Sequence, residues 1–162
     1  MRSLLLSLLL IAPRTLPAQA SPRTLLDTAI VSNPMSAKPN AEILRQLEER
    51  SDECAIASLV WHELVFGWQR LPAGKRKEAL EAYLDHVVLQ SFPILEYTEP
   101  AATWHGEERA RLDAEGRSAP FVDGQIAAVA YANGLVLVTP NVKDFDRFSD
   151  LEVVDWSKRS RR

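Results

Sequence analysis

A single cysteine and three histidines among 162 residues leave little room for thiol or imidazole chemistry. One thiol, Cys54, excludes an internal disulfide, and metal centres built on Cys/His pairs are excluded by count. Cys54 lies in the apolar segment Cys54-Ala-Ile-Ala, where a free cysteine behaves as a small hydrophobe. His62, His86 and His105 show no metal-ligand spacing and read as structural or surface residues. No Ser or Thr stands with His and Asp in a nucleophile setting. The six glycines form no Gly-rich phosphate loop. Positive charge is also in short supply. The net charge of −3 gives no general electrostatic case for nucleic acid. Cations are local, at Arg70, Lys75, Arg76 and Lys77 and in the tail Lys158, Arg159, Arg161 and Arg162. The first group reads equally well as a solvated helix end. Trp61, Trp68, Trp104 and Trp156 are spread out, which suits core or interface better than a base-stacking platform. No repeat or low-complexity tract is present.

What is present begins with an amino terminus that carries a competing signal. Arg2 precedes an apolar stretch from Leu4 to Ile11, and Ala18-Gln-Ala20 resembles a small-x-small cleavage site, the outline of a secretory signal peptide. The stretch is far shorter than the roughly 20 residues a membrane-spanning helix needs. The favoured account of residues 1–22 is an extension from a misplaced start, with a cytoplasmic domain at residues 23–156 and a basic tail at 157–162. A chain of this length is one domain on the usual prior.

Short apolar runs alternate with helical periods along that domain. Residues 24–27 read as a buried strand ending on an acid, and 31–39, with Pro34 and Pro39, as a loop. Asn40 is a candidate N-cap for a helix over 41–50. Residues 52–58 read as a second strand, followed by a helix that Pro72 and Gly74 end. Residues 75–90 predict one amphipathic helix. Residues 92–97 predict an edge strand containing Pro93, and 99–115 a helix closed by Gly116. Asp123 opens an Ala-rich helix over 124–132 and is expected at its N-cap. Residues 135–138 form a continuous apolar run, as in a parallel strand covered on both faces. Val153-Val154 is a weaker last strand. The alternation predicts a three-layer α/β/α domain around a short, mainly parallel sheet of about five strands.

Four acids fall where such a sheet would converge: Asp27, Glu63, Asp123 and Asp144. Sites in open α/β folds lie beyond the carboxyl ends of the strands. Each acid has an ordinary alternative as a turn, cap or surface residue. Glu63 sits among Val60, Trp61 and Leu64, so burial would oblige it to find a partner. Carboxylates gathered in one cleft raise each other's pKa, and a hard divalent cation such as Mg²⁺ or Mn²⁺ is the usual remedy. Thr28, Thr139 and Asn141 add neutral groups able to orient a carboxylate or a water. Asp146 competes with Asp144 for its role. The expectation from the residues is a metal-dependent phosphodiesterase.

Leu25-Leu-Asp-Thr28, the helix-borne Glu63, Asp123-Gly-Gln-Ile-Ala-Ala-Val-Ala130 and Gly134-Leu-Val-Leu-Val-Thr-Pro-Asn-Val-Lys-Asp-Phe145 resemble the motifs of a PIN domain. More narrowly, they resemble the VapC-type toxins of toxin–antitoxin pairs. The resemblance implies a Mg²⁺-dependent endoribonuclease acting on RNA, tRNA or ribosomal RNA above all. It also implies a homodimer, an inhibitory antitoxin partner and no membrane. Asp27, Asp123 and Asp144 would then be metal ligands, direct or through water, and Glu63 would bind metal or orient the water. Two positions depart from the family: Ala29 replaces an Asn after Asp-Thr, and Pro140 replaces a basic residue. The alternatives are a catalytically degenerate PIN-like module that binds RNA or protein, and, last, a secreted α/β hydrolase-like protein.

Overall fold

Strands β1 (Thr24–Leu26) and β2 (Cys54–Ala57) bury every one of their residues, although successive side chains of a strand point to opposite faces. Both faces of the sheet are therefore covered, as a parallel sheet requires. The computed structural model describes residues 21–158. Five strands lie in the order β3-β2-β1-β4-β5, and every pairing is parallel. β3 is Ile94–Leu95, β4 is Val136–Val138 and β5 is Val153–Val154. The chain runs from β1 outward to β3, then crosses back over β1 to β4 and β5. The reversal leaves β1 flanked by β2 and β4, so their carboxyl ends open a crevice.

The helices follow the sequence periods, with three main differences. The expected 31–39 loop is preceded by a four-residue helix, α1 (Thr28–Val31), and contains a 3₁₀ turn at Asn33–Met35. Both are too short to show a periodicity. Asn40 does cap α2 (Ala41–Arg50), accepting from the N–H groups of Glu42 and Ile43. After α3 (Ser58–Gln69), the expected single helix is α4 (Lys75–Tyr83), which widens into a π turn at Leu84–Val88 and closes with Leu89–Ser91. The wider turn keeps Tyr83, Leu84 and Val88 all buried. The Tyr83 hydroxyl donates to the Val31 carbonyl at 2.7 Å, which satisfies an orphan acceptor at the end of α1.

The third difference concerns Asp123. Helix α6 (Phe121–Ala132) begins earlier than expected and is capped by Pro120, so Asp123 lies inside the first turn and is not the N-cap. The N-cap carboxylate of this fold is Asp27, which accepts from the Thr28 N–H at the start of α1. Helix α5 (Glu99–Ala114) ends on Gly116 at φ +66°, a left-handed conformation glycine adopts freely. A last short helix, α7 (Val142–Phe145), follows β4. The leader-like residues 1–20 and the tail beyond Lys158 lie outside the described residues. Among the described residues no helix is long and apolar enough to cross a membrane.

Helices α5 and α6 approach closely because position 124 is glycine. A Cβ there would stand 2.8 Å from Cδ2 of His105, and closer still to its Nε2. The His105 ring has little freedom to yield. It is buried, its Nδ1 is 3.0 Å from the Tyr97 hydroxyl, and Phe121 packs on it with ring centroids 5.0 Å apart. Gly124→Ala gains about 1 kcal/mol in helix propensity and incurs about 1–3 kcal/mol of overpacking. We expect a net loss of about 1 kcal/mol, a fall in Tm of about 2–4 °C for a domain this size. A thermal melt that rises on this substitution would show that the ring moves aside without cost.

Candidate functional site

Asp27 follows directly on β1, and its N–H donates to the Val138 carbonyl at 3.0 Å, so the end of β4 fixes its backbone. Its side chain is only 7% exposed. One oxygen, Oδ1, accepts from the Thr28 N–H at 2.7 Å, and the other, Oδ2, from the Thr139 hydroxyl at 2.7 Å. Thr139 is fully buried, and its Oγ1 accepts from the Asn141 N–H at 3.0 Å. The hydroxyl's proton is thereby directed at Asp27. Burial raises the Asp27 pKa most, the Thr139 and Thr28 hydrogen bonds lower it, and the charges of Glu63 and Asp144 raise it again.

Glu63 lies in the second turn of α3, one turn after β2 ends. The residue is half-buried, and the partner that burial calls for is the Thr28 hydroxyl, which donates to Oε2. Thr28 thus serves two carboxylates, one through its N–H and one through its hydroxyl. Asp123 projects from the first turn of α6 and accepts no hydrogen bond from any described residue. Burial, then the charges of Asp27, Asp144 and Glu63, push its carboxyl up to about 6; Arg147 acts in the opposite sense.

Asp27, Thr28, Glu63, Asp123 and Asn141 line one open cleft of about 460 Å³, together with Ala29, Ser32, Phe66 and Phe145. Three of the four acids singled out from sequence therefore meet there. Asp144, in the first turn of α7, does not line the cleft, but its charge acts on both Asp27 and Asp123. Asp146 is exposed at the end of α7 and is not among the charges that act on either of them. The α7 segment is held from below. The Glu108 carboxylate is buried and accepts from the Ser149 N–H at 2.7 Å, and Arg111 donates to the Arg147 carbonyl at 2.8 Å.

Ser32, Phe66 and Phe145 were not apparent from sequence. Two of them had a spacing signal. Phe66 stands three residues after Glu63 and Ser32 four after Thr28, which places each pair on one side of a helix. The donor set is all oxygen, with no sulfur or imidazole, as hard divalent cations prefer. Among the described residues, no three His, Cys, Asp or Glu stand already arranged to hold an ion. A small cation such as Mg²⁺ keeps several of its waters and needs only one or two carboxylates, so the set fits it.

The chain matches the family model described as PIN domain over residues 24–151. It belongs to the PIN-domain family. Among curated relatives it is 31% identical to the tRNA(fMet)-specific endonuclease VapC of Shigella flexneri, over 82% of this chain and 97% of that one. It is 29% identical to Toxin FitB of Neisseria gonorrhoeae, over 75% of this chain and 89% of the relative. Among solved structures it resembles a chain of FitAB bound to the IR36 DNA fragment, with a TM-score of 0.79 at 25% identity, covering 86% of this chain and 99% of that one.

The raised carboxyls give a signed expectation for stability. A carboxyl whose pKa is higher in the folded than in the unfolded chain binds its proton more tightly when folded. Its contribution is favourable at low pH and is lost as pH rises from about 3.8 to about 6 for Asp123. Asp27 acts in the same sense. His105, whose pKa is lowered mainly by burial, acts in the opposite sense. The comparison with Asp123→Asn isolates the cleft. We expect the metal-free protein to gain a few degrees of Tm at pH 7.5 on Asp123→Asn, and less at pH 5. Millimolar Mn²⁺ should raise the Tm of the unsubstituted protein at pH 7.5 and do little at pH 5. Equal responses at both pH values would contradict a cleft strained by its own charge.

Proposed function

We propose that this chain is a divalent-metal-dependent endoribonuclease, the toxin of a toxin–antitoxin pair, that hydrolyses RNA phosphodiester bonds. The observation that carries the proposal is the convergence of Asp27, Glu63 and Asp123, from three separate segments, on one cleft with only oxygen donors. Similarity to VapC and FitB supports the nuclease and toxin assignments. It makes a catalytically degenerate module the less favoured alternative, and the chain carries all four acids of the proposed site despite Ala29. The VapC relative's name supports tRNA as substrate. The FitAB–DNA structure supports an antitoxin partner and an oligomeric assembly, of which a homodimer of this chain would form the nuclease half.

Asp27 and Asp123 would hold the cation, Mg²⁺ or alternatively Mn²⁺, with Glu63 and Asp144 adding charge directly or through water. A bound divalent ion lowers the pKa of a water and neutralises charge on the scissile phosphate. The chain supplies the placement. Both Asp27 oxygens are pinned by donors, so the carboxylate needs no reorganisation when it binds. The Thr28 hydroxyl orients Glu63, whose other oxygen remains to accept a proton from, or align, an attacking water. Asp123, with no donor of its own, is the group most in need of a cation.

Cleavage of RNA by purified protein free of any partner should require Mg²⁺ or Mn²⁺ and stop on EDTA. Asp123→Asn should abolish it. Thr139→Val, which keeps shape and removes the hydroxyl from Asp27, should lower kcat about tenfold, and Thr139→Ser should restore most of it. Intact RNA under every divalent ion tried would refute the assignment, and full activity in Asp123→Asn would refute the site.

A further inference from the structure

The outer side of α3 and its C-cap present three exposed residues one helical turn apart: His62, Phe66 and, at the cap, Arg70. They form a ladder. The His62 and Phe66 rings lie nearly parallel, 12° apart with centroids at 6.2 Å, a separation that leaves them offset and their faces open. The Arg70 guanidinium lies 5.3 Å from the Phe66 centroid. Phe66 is 55% exposed, a large apolar surface to leave in water, and it lines the acidic cleft beside Glu63. Its neighbours at helical spacing are His62, Glu63, Gln69 and Arg70, all polar or charged, so the helix itself builds no apolar patch around it. A protein partner bound through hydrophobic contact would want such a patch. A nucleobase wants an aromatic face with a cation near it. Arg70 also pairs with no carboxylate among the described residues, which leaves its charge available to a phosphate.

Resting on the nuclease reading above, we propose that Phe66 stacks an unpaired base of the RNA next to the scissile phosphate. Arg70 braces the ring and contacts the neighbouring backbone phosphate. The acidic cleft repels a polyanion, so binding free energy for the strand must come from its rim. Phe66 stands at that rim, on the helix that also positions Glu63. The base must be unstacked from its partner strand to lie on the ring, so the ladder selects single-stranded or looped RNA over duplex.

The test uses the full chain and unstructured oligoribonucleotides, with cleavage followed in Mn²⁺ and binding followed by fluorescence anisotropy in Ca²⁺. Phe66→Ala should raise KM and the dissociation constant about tenfold, within the range of one base stack, and leave kcat within about twofold. Phe66→Trp should restore both, whereas Phe66→Leu, apolar but without a ring, should not. An abasic residue beside the cleavage point should cost the unsubstituted protein the same factor and cost Phe66→Ala little more. The Mn²⁺-induced rise in Tm should be unchanged in every variant, which separates stacking from damage to the cleft. RNA bound in a Phe66-dependent way but never cut would uphold the stack and overturn the nuclease. Cleavage with a KM indifferent to Phe66 would uphold the nuclease and overturn the stack, leaving the ladder as a surface for a protein partner. Neither binding nor cleavage would overturn both.

Discussion

A carboxylate held almost out of water between the ends of two parallel strands sets the terms for its surroundings. Asp27 cannot be hydrated freely, so its charge has to be met by protein donors, and both oxygens are met: one by the Thr28 N–H, one by the Thr139 hydroxyl. Those donors exist only because β1 and β4 run side by side in register, with Leu26 opposite Val138. Moving either strand by one residue would exchange the faces of all its side chains and separate the pair. Burial first, and then the charges of Asp27, Asp144 and Glu63, favour the protonated form of Asp123 up to about pH 6. The arrangement stores repulsion that a cation would relieve.

The helices keep that repulsion from opening the site. Tyr83 anchors the end of α1, the short helix whose first residue, Thr28, serves both Asp27 and Glu63. Gly124 lets α5 and α6 approach to the distance set by the buried His105 ring, and this fixes the first turn of α6 where Asp123 stands. Glu108 and Arg111 on α5 reach the backbone after α7 and so hold the segment that carries Asp144. Each acid is placed by contacts from an element other than its own. A cluster built this way tolerates unfavourable charge because the cost is spread over a packed core.

Much of this was legible along the chain. The apolar run at residues 135–138 marks a buried strand, the Asn40 cap marks the start of α2, and Gly116 marks the end of α5. The four acids stand out because each follows or closely succeeds an apolar run. The short elements were not legible. A four-residue helix at Thr28–Val31 and a π turn at Leu84–Val88 have no period long enough to read, and tertiary contacts decide them. Asp123 has the composition of an N-cap, yet Pro120, pre-set to an extended backbone, starts the helix three residues earlier.

The order of residues by itself determined which side chains carry charge, which segments are apolar enough to be buried, and hence that strands alternate with helices. Those properties depend on neighbours a few positions away. Tertiary structure alone decided that Asp27 is the capping carboxylate, that Glu63 is half-buried with a hydroxyl partner, that Asp144 acts from outside the cleft while Asp146 faces solvent, and that Phe66 stands at the cleft's rim. Each of these depends on distance and desolvation between residues far apart in the chain, and neither quantity exists until the sheet has closed around β1.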